Sequence, residues 1–155
     1  MIYPNAVKRR ARTQQGQSLV EFAISMMFFL IFLLGLLDLG RLYFIYVALE
    51  DSAGEAAVFL SLYPECLDAS SGSLCGDPNN ATYRAQNAAS GYFQFFDWGD
   101  NTQLNVYRPP VYATGTTVRV EIIHTFDLLF PVIPDIVGAD SITLRSEASH
   151  IIVSE

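Results

Sequence analysis

The stretch GQSLVEFAISMMFFLIFLLGLL, residues 16–37, decides the architecture of this chain of 155 residues. Its apolar run, residues 19–37, would span about 28 Å as an α-helix, close to the hydrocarbon thickness of a bilayer. A cleaved secretory signal would have a shorter apolar core followed by small residues. A buried helix of a soluble domain would rarely be apolar on all faces for this length. The run therefore predicts a membrane-spanning helix.

Charge is distributed unevenly on either side of this run. Residues 1–16 form a basic leader that contains Lys8, Arg9, Arg10 and Arg12 and no acid. The rest of the chain has 5 basic against 16 acidic residues. The positive-inside rule places the leader in the cytoplasm and the acidic part outside. An acidic body would repel phosphates, so we expect no nucleic-acid partner.

The helical pattern continues beyond the apolar run as far as Tyr63, and Pro64 is a plausible stop. Steps of four and three residues form one amphipathic stripe. Its members are Leu42, Tyr46, Leu49, Ala53, Ala56, Leu60 and Tyr63. We predict one helix over residues 17–63, with a transmembrane part at 19–37 and an amphipathic part at 38–63 that lies on a globular domain.

Residues 64–155 show the patterns of an extracytoplasmic α+β domain. The turn DPNN, residues 77–80, supplies an N-cap for a short helix over about 80–93. Asn80-Ala81-Thr82 also fits a glycosylation sequon, a pattern that is common by chance. Strand-like segments are TQLNVY (102–107), VYAT (111–114), TTVRVEIIHTF (116–126) and SITLRSEASHIIV (141–153). We predict an antiparallel sheet of three or four strands, with the apolar loop 127–140 folded back over it.

The two cysteines, Cys66 and Cys75, lie in a Ser/Gly/Asp/Pro-rich stretch. Two ligands cannot close a zinc site, so a disulfide is favoured, although two free thiols remain an alternative. A disulfide implies an oxidising, extracytoplasmic side. The histidines, His124 and His150, fall in strand patterns and are expected to be half-exposed. With no nucleophile elbow or phosphate loop in the sequence, we predict no enzyme, no catalytic residue and no cofactor.

Three charged residues in or beside the apolar run need an explanation. Ser18 and Glu21 match a capping box, so Glu21 could simply cap the helix. Asp38 and Arg41 are three residues apart and can meet on one helix face. They form either an exposed ion pair at the membrane boundary or a helix-interface pair between subunits.

A basic leader, Gly16, and Glu21 at the fifth position after it resemble a class III-type prepilin signal. This resemblance implies that a prepilin peptidase cuts between Gly16 and Gln17. The new α-amine of Gln17 and the carboxylate of Glu21 would then neutralise each other in lipid, within one chain or between neighbours.

About 45 residues from Gly16 onward resemble the TadE-like proteins, small pseudopilins of tight-adherence (Tad) pili related to type IV pili. The resemblance is carried by Gly16-Gln17-Ser18 with Glu21-Phe22, the apolar run, residues 35–41 (GLLDLGR), and the Ala-rich helix with Asp51, Ala53, Glu55, Ala56 and Ala57. The acidic residues Glu50, Asp51 and Glu55 depart from many relatives, which have more Arg there.

The resemblance implies a pilin-like structural subunit, either a pilin or a minor pilin, of a surface filament for attachment. Implied partners are the prepilin peptidase, other pilin subunits, an inner-membrane assembly platform, and the lipid bilayer before assembly. The globular domain would be extracytoplasmic, and the assembled subunit would belong to an extracellular pilus. The alternative is a bitopic membrane-anchored binding module that does not polymerise.

Overall fold

The fold is taken from a computed structural model that describes residues 8–90, 98–130, 134–135 and 138–153, without the side chains of 8–15 and 89–90. The elements are α1 (Lys8–Leu62), α2 (Ala81–Ser90), β1 (Thr102–Tyr107), β2 (Thr117–Asp127) and β3 (Ser141–Ile151). The class is α+β, with a three-stranded antiparallel sheet. The prediction of a long helix followed by a small α+β domain is therefore confirmed.

Helix α1 contains 55 residues and dominates the molecule. Its section Gly16–Leu62 is long and apolar enough to cross a membrane, and the most apolar part lies entirely on the surface. The helix begins at Lys8, upstream of the predicted start at Gln17. The reason is local, because residues 8–15 contain good helix formers and no glycine or proline.

The C-terminal half of α1 packs against the rest of the chain through a broad face. The centre of the predicted stripe, from Leu49 to Leu60, is buried as expected. The stripe is not buried towards its two ends, where Tyr46 and Tyr63 are 39% and 52% exposed. Ile45 and Phe59 are buried instead, since both the sheet and α2 contact this half of the helix. Small residues at the centre, such as Ala53 and Ala56, allow these elements to approach closely.

The sheet has the order β1-β2-β3, with β2 in the centre. Alternate β2 residues face α1, and the buried apolar ones are Val118, Val120, Ile122 and Phe126. The predicted strand at 111–114 is wrong, since these residues form an irregular segment that starts with a bend and ends in a turn. Pro109 and Pro110, just before it, lack the N–H groups that a ladder needs, and Gly115 closes the turn with φ of 91°.

Helix α2 begins at Ala81, immediately after the cap residue Asn80. The Oδ1 atom of Asn80 accepts the Tyr83 N–H at 2.8 Å, so the predicted N-cap is confirmed. The helix is described to Ser90, and the predicted extension to 93 lies outside the described residues. Asn80 is 1% exposed, and its amide donates to Cys75 O at 3.1 Å and to Asp77 Oδ1 at 2.7 Å. A buried amide with two acceptors leaves no room for a glycan in the folded chain.

The predicted disulfide is present between Cys66 and Cys75. It closes a loop with a sequence separation of 9, for which the chain-entropy model gives a stabilisation of about 2–3 kcal/mol. The carbonyl of Cys66 also accepts the Ala81 N–H at 3.1 Å. The loop is therefore tied to the start of α2 by both a covalent bond and a hydrogen bond.

Candidate membrane and assembly interface

The predicted processing and charge-pairing residues lie on a continuous, exposed stretch of α1. Gln17 Nε2 donates to Glu21 Oε1 at 3.1 Å, so these side chains meet across one helical turn. A methyl group added at Gly16 would touch nothing within 4 Å. Since α1 starts at Lys8, Ser18 is not at its N-terminus, and the capping-box interpretation is wrong for the full-length chain.

Residues 16–37 of α1, which we call the stem, present apolar side chains to the outside. Phe22, Phe28 and Phe32 are 68%, 69% and 70% exposed. Soluble monomers rarely expose contiguous apolar patches of more than a few hundred Å², and such patches mark membrane or protein contacts. Each fully covered Leu or Phe side chain would gain about 1.5–3 kcal/mol. The stem therefore requires lipid or other protein around it.

Asp38, directly after the stem, connects α1 to the globular domain. Its Oδ1 atom pairs with Arg41 Nη1 at 3.0 Å, which is the contact expected from their spacing. Its Oδ2 atom accepts the backbone N–H groups of Leu129 and Phe130 at 3.2 and 3.3 Å. The Asp38 side chain is 3% exposed, so the expectation of an exposed boundary pair is wrong for this residue. Both carboxylate oxygens are used within the chain.

Sequence reasoning missed this role of Asp38 because its partners lie 91 and 92 positions away. One signal was present: an acid that follows an apolar run directly needs compensating donors if it is buried. The apolar loop 127–140 was expected to fold back over the sheet. Among its described residues, Leu128 packs against the core, whereas the Leu129–Phe130 backbone turns to the helix.

A cleft of about 490 Å³ lies beside this contact, between α1 and the end of the sheet. Arg41 lines it and stacks its guanidinium over the Phe126 ring at 5.1 Å. His124 also lines it, with Nδ1 at 2.8 Å from Thr102 Oγ1. His124 is buried rather than half-exposed as predicted, because Thr102 and the strand end cover it. Burial lowers the pKa of His124, and the charge of Asp127 opposes this shift.

Three acidic residues in the C-terminal half of α1, Glu50, Asp51 and Glu55, are partly neutralised within the chain. Glu55 pairs with Arg84 of α2 at 3.5 Å, and Arg84 also lies over the Phe59 ring at 5.5 Å. Glu50 and Asp51 are exposed. Two of the three acids that depart from the family pattern therefore remain available to a partner with positive charge.

Together, the long helix, its exposed stem and the small α+β domain define a protein that has, among the residues the structure describes, one candidate membrane span near the N-terminus. Residues 16–58 match the family model described as "TadE-like protein". The resemblance of this N-terminal region is thereby confirmed, and the match covers somewhat more than a quarter of the chain. Comparisons with curated proteins and with solved structures gave no match.

Proposed function

We propose that this chain is a structural subunit, a pilin or minor pilin, of a Tad-type surface filament used for attachment. The observation that carries the proposal is the position of the family match. It begins at Gly16, the proposed processing residue, and extends through the whole exposed stem into the packed half of α1. Association with a Tad pilus system follows from the family, and the subunit role is our extension of it.

Processing would change the charge at the start of the stem. A cut after Gly16 by a prepilin peptidase removes the basic leader and leaves an ammonium group on Gln17. Glu21 is one helical turn away, and the observed contact between Gln17 and Glu21 supports pairing on one face. An unpaired charge deep in a membrane costs about 3 kcal/mol on insertion scales, so pairing with a neighbouring subunit would favour association.

The topology of the proposed precursor follows from charge and redox chemistry. The basic leader remains cytoplasmic, and the acidic globular domain lies outside, where the Cys66–Cys75 disulfide is stable. Before assembly the stem is surrounded by lipid. During assembly an inner-membrane platform would pass it to other pilin subunits, whose stems replace lipid around its apolar side chains. No step in this role requires catalysis by the chain itself.

The test is the mass of the mature N-terminus in cells with an active prepilin peptidase. We expect a chain that begins at Gln17, and a Gly16→Val variant that keeps its leader because a β-branched side chain obstructs tight binding to the peptidase. A matched Gly76→Val variant, also at a glycine with open space around it, should be processed normally. Retention of the leader by the unaltered protein would favour the bitopic anchor that does not polymerise.

A further inference from the structure

We propose that the turn bearing Leu129 rests on the outer surface of the lipid bilayer and gives the globular domain a second membrane contact. This proposal rests on the membrane-spanning role of the stem. It adds that the domain is held against the lipid surface at a fixed height. The ligand is the interfacial region of the outer leaflet, where headgroups meet acyl chains.

The height of the turn is fixed by Asp38. At a rise of 1.5 Å per residue, Asp38 lies about 26 Å beyond Glu21 along α1, which approaches the thickness of the hydrocarbon core. A stem that starts near the inner surface therefore delivers Asp38 to the outer surface. The hydrogen bonds from the backbone of Leu129 and Phe130 to Asp38 Oδ2 hold the turn at that same level.

The side chains of the turn are arranged for contact with lipid on one side. Leu128 packs against the core, whereas Leu129 is 64% exposed. An exposed leucine at this level lies where the stem itself meets the acyl chains. Asp127, exposed at the end of β2, would be costly in hydrocarbon. The turn should therefore remain in the interface and should not enter the core of the bilayer.

The surface of α1 at the same height has the composition of an interfacial belt. Tyr43 and Phe44, about one and a half turns beyond Asp38, are 63% and 55% exposed, and aromatic rings favour the headgroup level. An apolar groove of about 640 Å³ runs beside them. It is lined by Leu36, Leu39, Gly40, Leu42, Tyr43 and Tyr46. Apolar surface thus continues from the stem past the membrane exit, and the bilayer is the neighbour that every unassembled subunit must have.

The experiment places an environment-sensitive fluorophore on single cysteines of the full chain in vesicles. Because Cys66 and Cys75 are disulfide-bonded, an introduced cysteine is the reactive thiol without reductant. The variants are Leu129→Cys for the turn, Phe29→Cys for the stem, and Val111→Cys for a site that is 69% exposed at the end of the domain away from the stem. The vesicles contain phosphatidylcholine and phosphatidylglycerol, either alone or with a lipid that bears a nitroxide quencher at shallow depth or deeper in the acyl chains.

We expect the shallow quencher to remove most of the emission at position 129 and little at position 111, and the deeper quencher to act at position 29. If position 29 is quenched and position 129 behaves like position 111, the second contact is refuted while the membrane span stands. If position 29 is not quenched, the membrane span and this inference both fail. A blue-shifted signal at position 129 that grows with protein density and resists the lipid quencher would assign the turn to a second copy and overturn the proposal.

A second variant tests whether Asp38 sets the height. Asp38→Asn should reduce quenching at position 129 while leaving that at position 29 unchanged, because the turn is held less firmly and the stem is unaltered. Asp51→Asn, at an exposed carboxylate of the same helix, is the matched control and should leave both signals unchanged. Equal quenching at position 129 in the unaltered protein, in Asp38→Asn and in Asp51→Asn would show that Asp38 does not set the height of the turn.

Discussion

Replacing Asp38 with alanine should destabilise the globular domain strongly, although the residue belongs to α1, directly after the stem. The change removes the acceptor of two backbone N–H groups and the partner of Arg41. Hydrogen bonds to a charged group contribute about 1.5–3 kcal/mol each. The ion pair adds little, because Arg41 is 31% exposed and exposed pairs are worth about 0–1 kcal/mol.

Because water can reach part of the freed turn, we expect the lower end of that sum, a loss of about 3 kcal/mol in the free energy of unfolding. Asp38→Asn keeps one acceptor oxygen without its charge and should lose about half as much. With a urea dependence of about 1–3 kcal/mol per molar, the alanine variant should shift the unfolding midpoint by at least about 1 M.

The assay is urea unfolding of the full chain in detergent micelles, followed by the fluorescence of Trp98. This residue is the single tryptophan of the sequence, and it packs against the core of the globular domain. Asp51→Ala, at an exposed carboxylate on the same helix, is the control and should stay within about 0.5 kcal/mol of the unaltered protein. If Asp38→Ala matches Asp51→Ala, the contact between Asp38 and the 129–130 turn contributes nothing, and the reasoning is refuted.

Three further predictions follow from individual side chains. Asn80→Ala should cost about 2 kcal/mol of unfolding free energy through loss of the cap and of the bond to Cys75 O, whereas the exposed neighbour Asn79 should tolerate alanine in the same urea assay. Burial lowers the pKa of His124, so the unfolded chain binds this proton more readily than the folded chain. The free energy of unfolding should therefore decrease as the pH is lowered below about 6.5. His124→Gln should lose that part of the pH dependence, and identical pH profiles of the urea midpoint would contradict the assignment. Glu21→Leu should still insert and be processed but impair assembly, as measured by sedimentation of filaments, and normal filaments from it would deny Glu21 an assembly role.

Features of short sequence range were predictable because their cause lies within a few residues. The stem follows from an uninterrupted apolar run, and the strands follow from the alternation of Val118, Val120 and Ile122 with polar residues. The N-cap at Asn80 follows from its place before the first turn of a helix. The disulfide follows from two cysteines near each other in a loop without further metal ligands.

Features that depend on packing between distant segments were missed or misjudged. A six-residue strand and the end of β2 come together to bury His124, which no local pattern indicated. The residues at 111–114 have strand-like composition, yet the preceding prolines and the turn at Gly115 exclude them from the sheet. The buried face of α1 is wider than its sequence stripe, because two separate elements pack against it.

The sequence by itself determined that the chain has a long apolar stem and an acidic α+β domain, since periodicity, length and charge are local properties. The resemblance to TadE-like proteins also came from the sequence, through the motifs between Gly16 and Ala57. Only the tertiary structure decided that Asp38 is buried and bound to the backbone of Leu129 and Phe130. The physical reason is that a carboxylate can be buried only where hydrogen-bond donors replace its bound water. Here two of those donors lie 91 and 92 positions further along the chain.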